Sequence, residues 1–318
     1  MDMLNALRRG TISAAAAFVV AVGAASLGTP AALAQAPADV AARQPSPGFG
    51  DPAQAVEALK AALAGNDFDG VARLLGLDAG KLRASDGVMD TFDKIRQGAA
   101  ERLEVEDVAA DRKILDIGRE LWPLPFPLVK NAEGKWAFDT AAGLDEIENR
   151  RIGENEIEAI ATLRAYVDAQ RTYATADHDG DGVLEFARKL ISSPGQTDGL
   201  YWPPEQGDGD SPAGPAIDAG SLEKAKQGKG YFGYRFRILQ GQGDRVAGGR
   251  YDYVINGNMI AGFGLIAWPV AYGETGVHSF VVNQAGIVYE KDLGPDTAAR
   301  VEKIRRFDPD KSWEIVKD

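Results

Sequence analysis

The spacing of apolar residues changes period along the chain and divides it into blocks. Ala55, Leu59, Ala62 and Leu63 recur at helical spacing until Gly65-Asn66-Asp67 ends the pattern. A short helix is predicted over Phe68–Leu75, a turn at Ser85-Asp86-Gly87, and a further helix over Val88–Ala100. The pattern then turns to strands. Trp122–Val129 is apolar but carries Pro123, Pro125 and Pro127 on alternate positions, which excludes a central strand and predicts an extended edge segment. Asn131 and Gly134 predict a hairpin turn into Trp136–Asp139. Leu144–Ala176 is the longest helical pattern, and Gly153 predicts a kink or a cap between two helices there. An Asp/Gly loop, a short helix over Glu185–Ile191 and a polar surface excursion over Pro203–Gly230 follow.

The last third reads as antiparallel sheet. In Tyr234–Leu239, Tyr234, Phe236 and Ile238 face one way and Arg235 and Arg237 the other. Gly264–Val270 is nearly unbroken in its apolar character, as a central strand covered on both faces should be. Ser279–Asn283 and Ile287–Lys291 form a predicted hairpin, and a helix over Thr297–Arg306 precedes a tail with Trp313. The expected fold class is α+β with two lobes. Residues 51–143 place helices against a small sheet, and residues 144–318 pack a long helix on an antiparallel sheet.

The first 34 residues read as a signal peptide. Arg8 and Arg9 precede the uncharged run Ser13–Leu27, and Ala32-Leu33-Ala34 supplies the small residues of a cleavage site. The paired arginines also admit the twin-arginine route, which Gly10-Thr11-Ile12-Ser13 fits poorly. The expectation is a periplasmic or secreted protein cleaved near Ala34. Gln35–Pro52, rich in Ala, Pro and Gly, predicts a flexible lead-in over 35–50 before the first lobe. No later segment is apolar for long enough to span a bilayer. The 318-residue chain has 47 acidic and 35 basic residues, a net charge of −12, which argues against nucleic acid or anionic lipid as partners. It has no cysteine, which excludes disulfides, thiolate metal sites and a thiol nucleophile.

Leu121-Trp122-Pro123, Gly134–Asp139, Arg150–Glu156, Asp198–Pro203 and Gly262–Pro269 together resemble a bacterial exported family catalogued as domain of unknown function 2950. The resemblance spans nearly all of the chain after the signal and implies export. It implies no activity and no catalytic residues. Ala55–Leu75 with Leu121–Asp139 is similar to small cone-shaped nuclear-transport-factor-2-like domains. The helix carrying Ala169–Tyr173, with Gly233–Phe236 and Thr275–Phe280, looks like the globular part of pilin-like proteins. The chain lacks the long membrane-embedded pilin helix and its processing site.

The sharpest chemical motif is Asp177-His178-Asp179-Gly180-Asp181-Gly182-Val183-Leu184-Glu185. Calcium takes six to eight hard oxygens, and acids at loop positions 1, 3 and 5, Gly at 6 and a carbonyl at 7 turn them onto one ion. Asp177, Asp179, Asp181, the Val183 carbonyl and Glu185 are the candidate ligands, flanked by predicted helices as in an EF-hand. Position 12 holds Arg188 in place of a bidentate Glu, so Glu185 or a distant acid such as Asp198 must complete the shell. The same residues also suit a solvated turn between helices.

Other constellations are weaker. With two histidines, His178 and His278, and no G-x-S-x-G elbow, a Ser-His-Asp site and a three-His zinc site are both disfavoured. Glu154, Glu156, Asp198 and Glu205 could serve carboxylate catalysis, with Tyr201 and Trp202 stacking on a sugar. Glu154 and Glu156 also read as acids at a helix start, and Trp202-Pro203 as a core closure. Arg150-Arg151, set among acids, reads as locally paired. The expected function is a periplasmic binding or structural module of the cell envelope with a calcium-stabilised loop, whose partner is another envelope protein or a glycan. The alternative is a carboxylate-dependent envelope hydrolase acting on a glycan. A pocket lined by Trp202, Tyr201 and paired acids about 5–10 Å apart would favour the hydrolase.

Overall fold

The computed structural model describes residues 40–85, 87–206 and 209–317. The signal segment 1–34 lies outside them. Helices α1 (Pro52–Ala64), α2 (Phe68–Leu74), α3 (Ala79–Arg83) and α4 (Val88–Glu101) come first. They are followed by strands β1 (Leu103–Ala109), β2 (Arg112–Ile117), β3 (Trp122–Pro123), β4 (Leu128–Lys130) and β5 (Trp136–Phe138). The sheet runs β1-β2-β4-β5, with β3 also paired to β2. Leu59, Leu63, Phe92, Leu115, Ile117, Leu128 and Phe138 belong to the core cluster between these helices and the sheet.

Next comes α5 (Thr140–Tyr173), a single helix of 34 residues. The remainder comprises α6 (Ala219–Lys226), β6 (Tyr234–Leu239), β7 (Gly241–Gln242), β8 (Tyr251–Asp252), β9 (Val254–Ile255), β10 (Asn258–Met259), β11 (Gly264–Pro269), β12 (His278–Asn283), β13 (Tyr289–Asp292), α7 (Thr297–Val301) and β14 (Glu314–Ile315). Strands β14-β13-β12-β11-β6 form one antiparallel sheet. The fold is mixed α+β. Leu265 and Ala267 on β11 meet Ala159, Leu163, Tyr166 and Val167 of α5 in a second cluster. Ile266 faces the other way, into a third cluster with Leu239, Val281, Leu293, Val301 and Phe307. β11 is therefore covered on both faces, as its apolar run predicts.

Aspartate starts most of the helices. Asp51, Asp67, Asp78, Asp139 and Asp218 each accept a backbone N–H from the first turn of α1, α2, α3, α5 and α6. Part of the acidic excess is thus N-capping, which satisfies donors that a helix start leaves open.

Several expectations are corrected. Gly153 does not cap a boundary between two helices; α5 runs through it as one helix, because the packed side chains on both flanks outweigh one poor helix former. Glu154 and Glu156 accordingly lie in mid-helix. The segment 185–191 is not helical, because its backbone bonds elsewhere. Phe186 N–H donates to the Met259 carbonyl at 2.8 Å, Ala187 N–H to Gln170 at 2.8 Å, and Lys189 and Leu190 carbonyls accept from Leu200 and Tyr201. The proline-rich stretch is not one extended edge segment: Trp122–Pro123 pairs with β2, the chain bends at Pro125–Phe126, and Leu128–Lys130 pairs on both sides, with β2 and β5. The excursion 203–230 contains α6, which buries Ser221 and Leu222. The last helix ends at Val301, where Arg237 takes the carbonyls of Val301 and Ile304 at 2.7 and 2.6 Å. Over 40–50 the expected flexible lead-in is fastened. Phe49 and Trp136 exchange backbone bonds at 2.7 Å, Asp78 N–H reaches the Val40 carbonyl at 2.9 Å, and Val40 is buried.

Two glycines of α5 make opposite predictions. A Cβ at Gly153 would meet nothing within 4 Å, whereas one at Gly143 would fall 2.0 Å from the Phe126 ring. Urea melts of Gly153→Ala should show a gain of about 0.5–1 kcal/mol. Gly143→Ala should lose about 1–3 kcal/mol through overpacking.

Candidate functional site

An apolar cavity of about 420 Å³ lies between the second half of α5, the segment from Leu190 to Ile217, α6 and the open edge of the sheet at β6. Tyr166, Leu200, Leu222, Tyr234 and Leu265 are buried and form its floor. Ile191, Ala216, Gly228 and Arg235 are exposed and mark its mouth. Among the described residues no Asp or Glu lines it, and Arg235 is the one charged residue in its lining. Most lining hydroxyls are spent on the fold. Tyr166 donates to the Gly264 carbonyl at 3.1 Å, Tyr231 to that of Ala216 at 3.3 Å and Tyr234 to that of His278 at 2.9 Å. Burial pushes the phenols of Tyr166 and Tyr234 up, so both stay protonated.

Buried Gln170 fixes one side of this region. Its amide donates to the Ala187 carbonyl at 2.8 Å and to the Tyr166 hydroxyl at 3.0 Å, and accepts from Ala187 N–H at 2.8 Å. All three bonds run inside the core, where an unpaired amide is costly. They clamp the irregular chain after the Asp loop onto α5.

Carboxylate oxygens of Asp177, Asp179 and Asp181 lie within 4.8 Å of one another, all exposed. Asp177 accepts from Gly180 N–H at 2.7 Å and Gly182 N–H at 2.9 Å, and these bonds hold its carboxyl below the usual range. Gly180 and Gly182 have φ of 79° and 83°, the left-handed turn that the loop requires. Val183, the expected carbonyl ligand, donates its N–H to Asp181 at 2.8 Å, and the acids expected to complete the shell are engaged elsewhere. Glu185 faces β10 and accepts Met259 N–H at 2.8 Å, while Asp181 also accepts from Asn258 at 2.6 Å. Asp198 is held by Ser193 N–H at 2.7 Å and by Lys189. With no helix after the loop, this is not an EF-hand. The three converging aspartates suit a hard cation, but with fewer protein oxygens than a full calcium shell.

The carboxylates proposed for catalysis do not converge on the cavity. Glu156 points from α5 to the β11–β12 connection, where it accepts N–H bonds from Val277 and His278 at 2.8 and 2.9 Å. Its other oxygen lies 3.2 Å from His278 Nδ1. Burial pushes Glu156 up, but the bonds from His278 and Val277 outweigh it and leave the carboxyl low. Burial also pushes Asp198 up, and bonds from Lys189 and Ser193 reverse the shift. Both are held ionised, the opposite of a general acid. Glu154 and Glu205 are exposed, and neither lines the cavity. Trp202 is 4% exposed, in the second core, so its face is closed to a sugar; Tyr201 does line the cavity. Arg150 pairs with Glu146 at 2.8 Å and Arg151 with Glu148 at 3.3 Å, as their acidic surroundings predict.

The family model described as protein of unknown function (DUF2950) matches residues 47–316. The chain belongs to this family. No curated protein and no solved structure matches the chain. Among the described residues no helix is long and apolar enough to cross a membrane. Two of the five blocks that carry the family resemblance line the cavity, and a third ties α5 to the second sheet. Arg150–Glu156 supplies the contacts of α5 to the β11–β12 connection, Asp198–Pro203 brings Leu200 and Tyr201 to the cavity, and Gly262–Pro269 brings Leu265 and Trp268. Sequence reasoning missed Ala213, Ala216, Ile217, Leu222 and Ala225 as lining. Their apolar recurrence inside a polar stretch was the available signal.

The Glu156–His278 pair gives stability a pH window. The bond to Glu156 raises His278 against burial, helped by the charges of Glu290 and Asp292. That contribution is complete below the ordinary value of 6.5 and is lost as pH rises through the folded value. The Glu156 contribution is complete above 4.5 and is lost as pH falls through its lowered value. The pair therefore stabilises most between pH 4.5 and 6.5. Melting temperature against pH should fall on the alkaline side, and His278→Gln should flatten that limb.

Proposed function

We propose that the protein is an exported cell-envelope binding module that takes a small apolar ligand in the cavity beside β6. The cavity itself carries this reading: its volume lies in the range of ligand pockets, its walls are apolar, and no carboxylate of the described residues lines it. Glu156 and Asp198 are bonded to backbone away from the cavity, and among the described residues no pair of carboxylates lines it, which disfavours the glycan hydrolase, whose chemistry needs two at one site. Export rests on the Arg8-Arg9 start, the Ser13–Leu27 run and the Ala32-Leu33-Ala34 end.

Titration with N-phenyl-1-naphthylamine tests the cavity. Saturable fluorescence enhancement at one dye per chain is expected. Ala165→Phe, which fills the cavity from α5, should abolish it while leaving the circular dichroism spectrum unchanged. A linear, unsaturable response in the parent protein would sink the reading.

The loop Asp177–Asp181 is the second element of the proposal, a weak calcium site that stiffens the connection between α5 and β10. Its support is the convergence of three carboxylates, whose mutual repulsion a divalent cation relieves. Calorimetry should show heat at millimolar calcium that Asp179→Ala removes. A flat trace for the parent protein at those concentrations would refute this element alone.

A further inference from the structure

We infer that β6 accepts an extended segment of a partner protein as an added antiparallel strand, with one large apolar side chain of that segment in the cavity. This rests on the reading of the cavity as a binding site and makes its apolar occupant a side chain. β6 ends the sheet order β14-β13-β12-β11-β6, so one of its edges has no strand beside it. In an antiparallel pair the backbone groups of successive residues alternate between facing the neighbour and facing away. Val270 N–H donates to the Gly233 carbonyl at 2.9 Å, and β6 then pairs with β11 without a shift from Tyr234 to Leu239. The groups of Arg235, Arg237 and Leu239 therefore face β11, and those of Tyr234, Phe236 and Ile238 face the open edge.

The chain closes both ends of that edge. Tyr231 and Tyr234 exchange backbone bonds at 2.9 and 3.0 Å, and the Gln240 carbonyl accepts Tyr253 N–H at 2.8 Å. Between these stops the N–H and C=O of Phe236 and Ile238 bond to no backbone group of the described residues. Both residues are part-exposed. Two donors and two acceptors in one row match the backbone of a strand, whose main chain supplies affinity and whose alternate side chains supply specificity. A second copy would bring its own Tyr231 and Tyr253 segments against the same stops, so a free extended segment fits and a folded edge does not.

Register sets the sequence that fits. The residue opposite Phe236 puts its side chain on the face of Phe236, which lines the cavity. A dry cavity of about 150 Å³ holds a benzene ring, so about 420 Å³ admits any aromatic side chain. The residue opposite Ile238 shares that face, where Ile238 packs against the second core cluster, and is apolar. The residue opposite Arg235 lies on the other face. There Arg237 sits over the Trp268 ring and is spent on the Val301 and Ile304 carbonyls, while Arg235 is exposed and of the sign that an acid complements. From its N-terminus the segment is apolar, any residue, aromatic, acidic.

The probe is the blocked peptide Ac-Ser-Val-Thr-Phe-Glu-Ser-NH2, read by displacement of N-phenyl-1-naphthylamine and by amide hydrogen exchange. It should displace the dye and slow exchange at the Phe236 and Ile238 amides, leaving those of Arg235 and Arg237, already bonded to β11, unchanged. Methylating the backbone nitrogen of its Phe, which faces β6, should weaken binding about tenfold, and methylating that of its Thr, which faces away, should not. Replacing its Phe by Ala should weaken binding about tenfold or more. Replacing its Glu by Lys should weaken it about two- to fivefold, and Arg235→Glu should reverse that order. Equal binding of the two methylated peptides, or dye displacement without slowed exchange at Phe236 and Ile238, overturns strand addition. Sedimentation of the parent protein as a dimer with those two amides protected assigns the edge to a second copy and overturns it as well. Dye binding that the peptide does not displace overturns the partner inference and leaves the apolar site standing. Failure of the dye itself to bind overturns the cavity reading and this inference with it.

Discussion

The rest of the structure depends on α5 being shared. Leu144 and Ile147 near its start belong to the first hydrophobic cluster, while Ala159, Leu163, Tyr166, Val167 and Tyr173 belong to the second. A helix of 34 residues with polar surroundings has little reason to persist alone, since most helical stability in proteins comes from packing. Here burial at both ends holds it. Loss of packing in either cluster would release the helix that the other needs.

Between the two buried stretches the helix is tied by polar groups. Arg150 donates to the Pro123 carbonyl at 3.0 Å on the first sheet's side, and Arg151 to the Glu274 carbonyl at 3.0 Å on the second's. Asn155 reaches the Thr275 carbonyl at 3.0 Å, and Glu156 caps Val277 and His278. Neighbouring residues on one helix thus address backbone from distant segments. These bonds satisfy loop groups that would otherwise need water, and they fix where β12 begins relative to α5. The apolar cavity follows from the same placement: α5 covers β11 and β12, and beyond its reach Leu190, Leu200, Ala213 and Leu222 line a space beside β6.

Legibility in the sequence followed the range of the interactions. The helices α1, α2 and α4, the hairpin β12–β13 and the two-faced strand β11 were readable because short-range periodicity and turn residues encode them. The Asp/Gly loop was readable for the same reason: Asp177 bonds its own neighbours, Gly180 and Gly182. Where partners lay far away, local pattern misled. Residues 185–191 look helical but bond to Gln170, Met259, Leu200 and Tyr201. Gly153 looks like a break until both ends of the helix are packed. Glu185 looks like a calcium ligand until Met259 N–H takes it.

The sequence by itself determined the α+β class, the family, the absence of thiol chemistry and the identity of the turn-forming aspartates, because composition and near-neighbour spacing decide these. The tertiary structure alone decided that α5 is continuous, that Trp202 is core, that Glu156 serves backbone at residues 277 and 278, and that apolar side chains from five separate stretches enclose one cavity. The reason is physical. Burial and hydrogen-bond satisfaction are properties of groups brought together across 100 or more residues, such as Glu156 and His278, and no local spacing records which distant group will arrive.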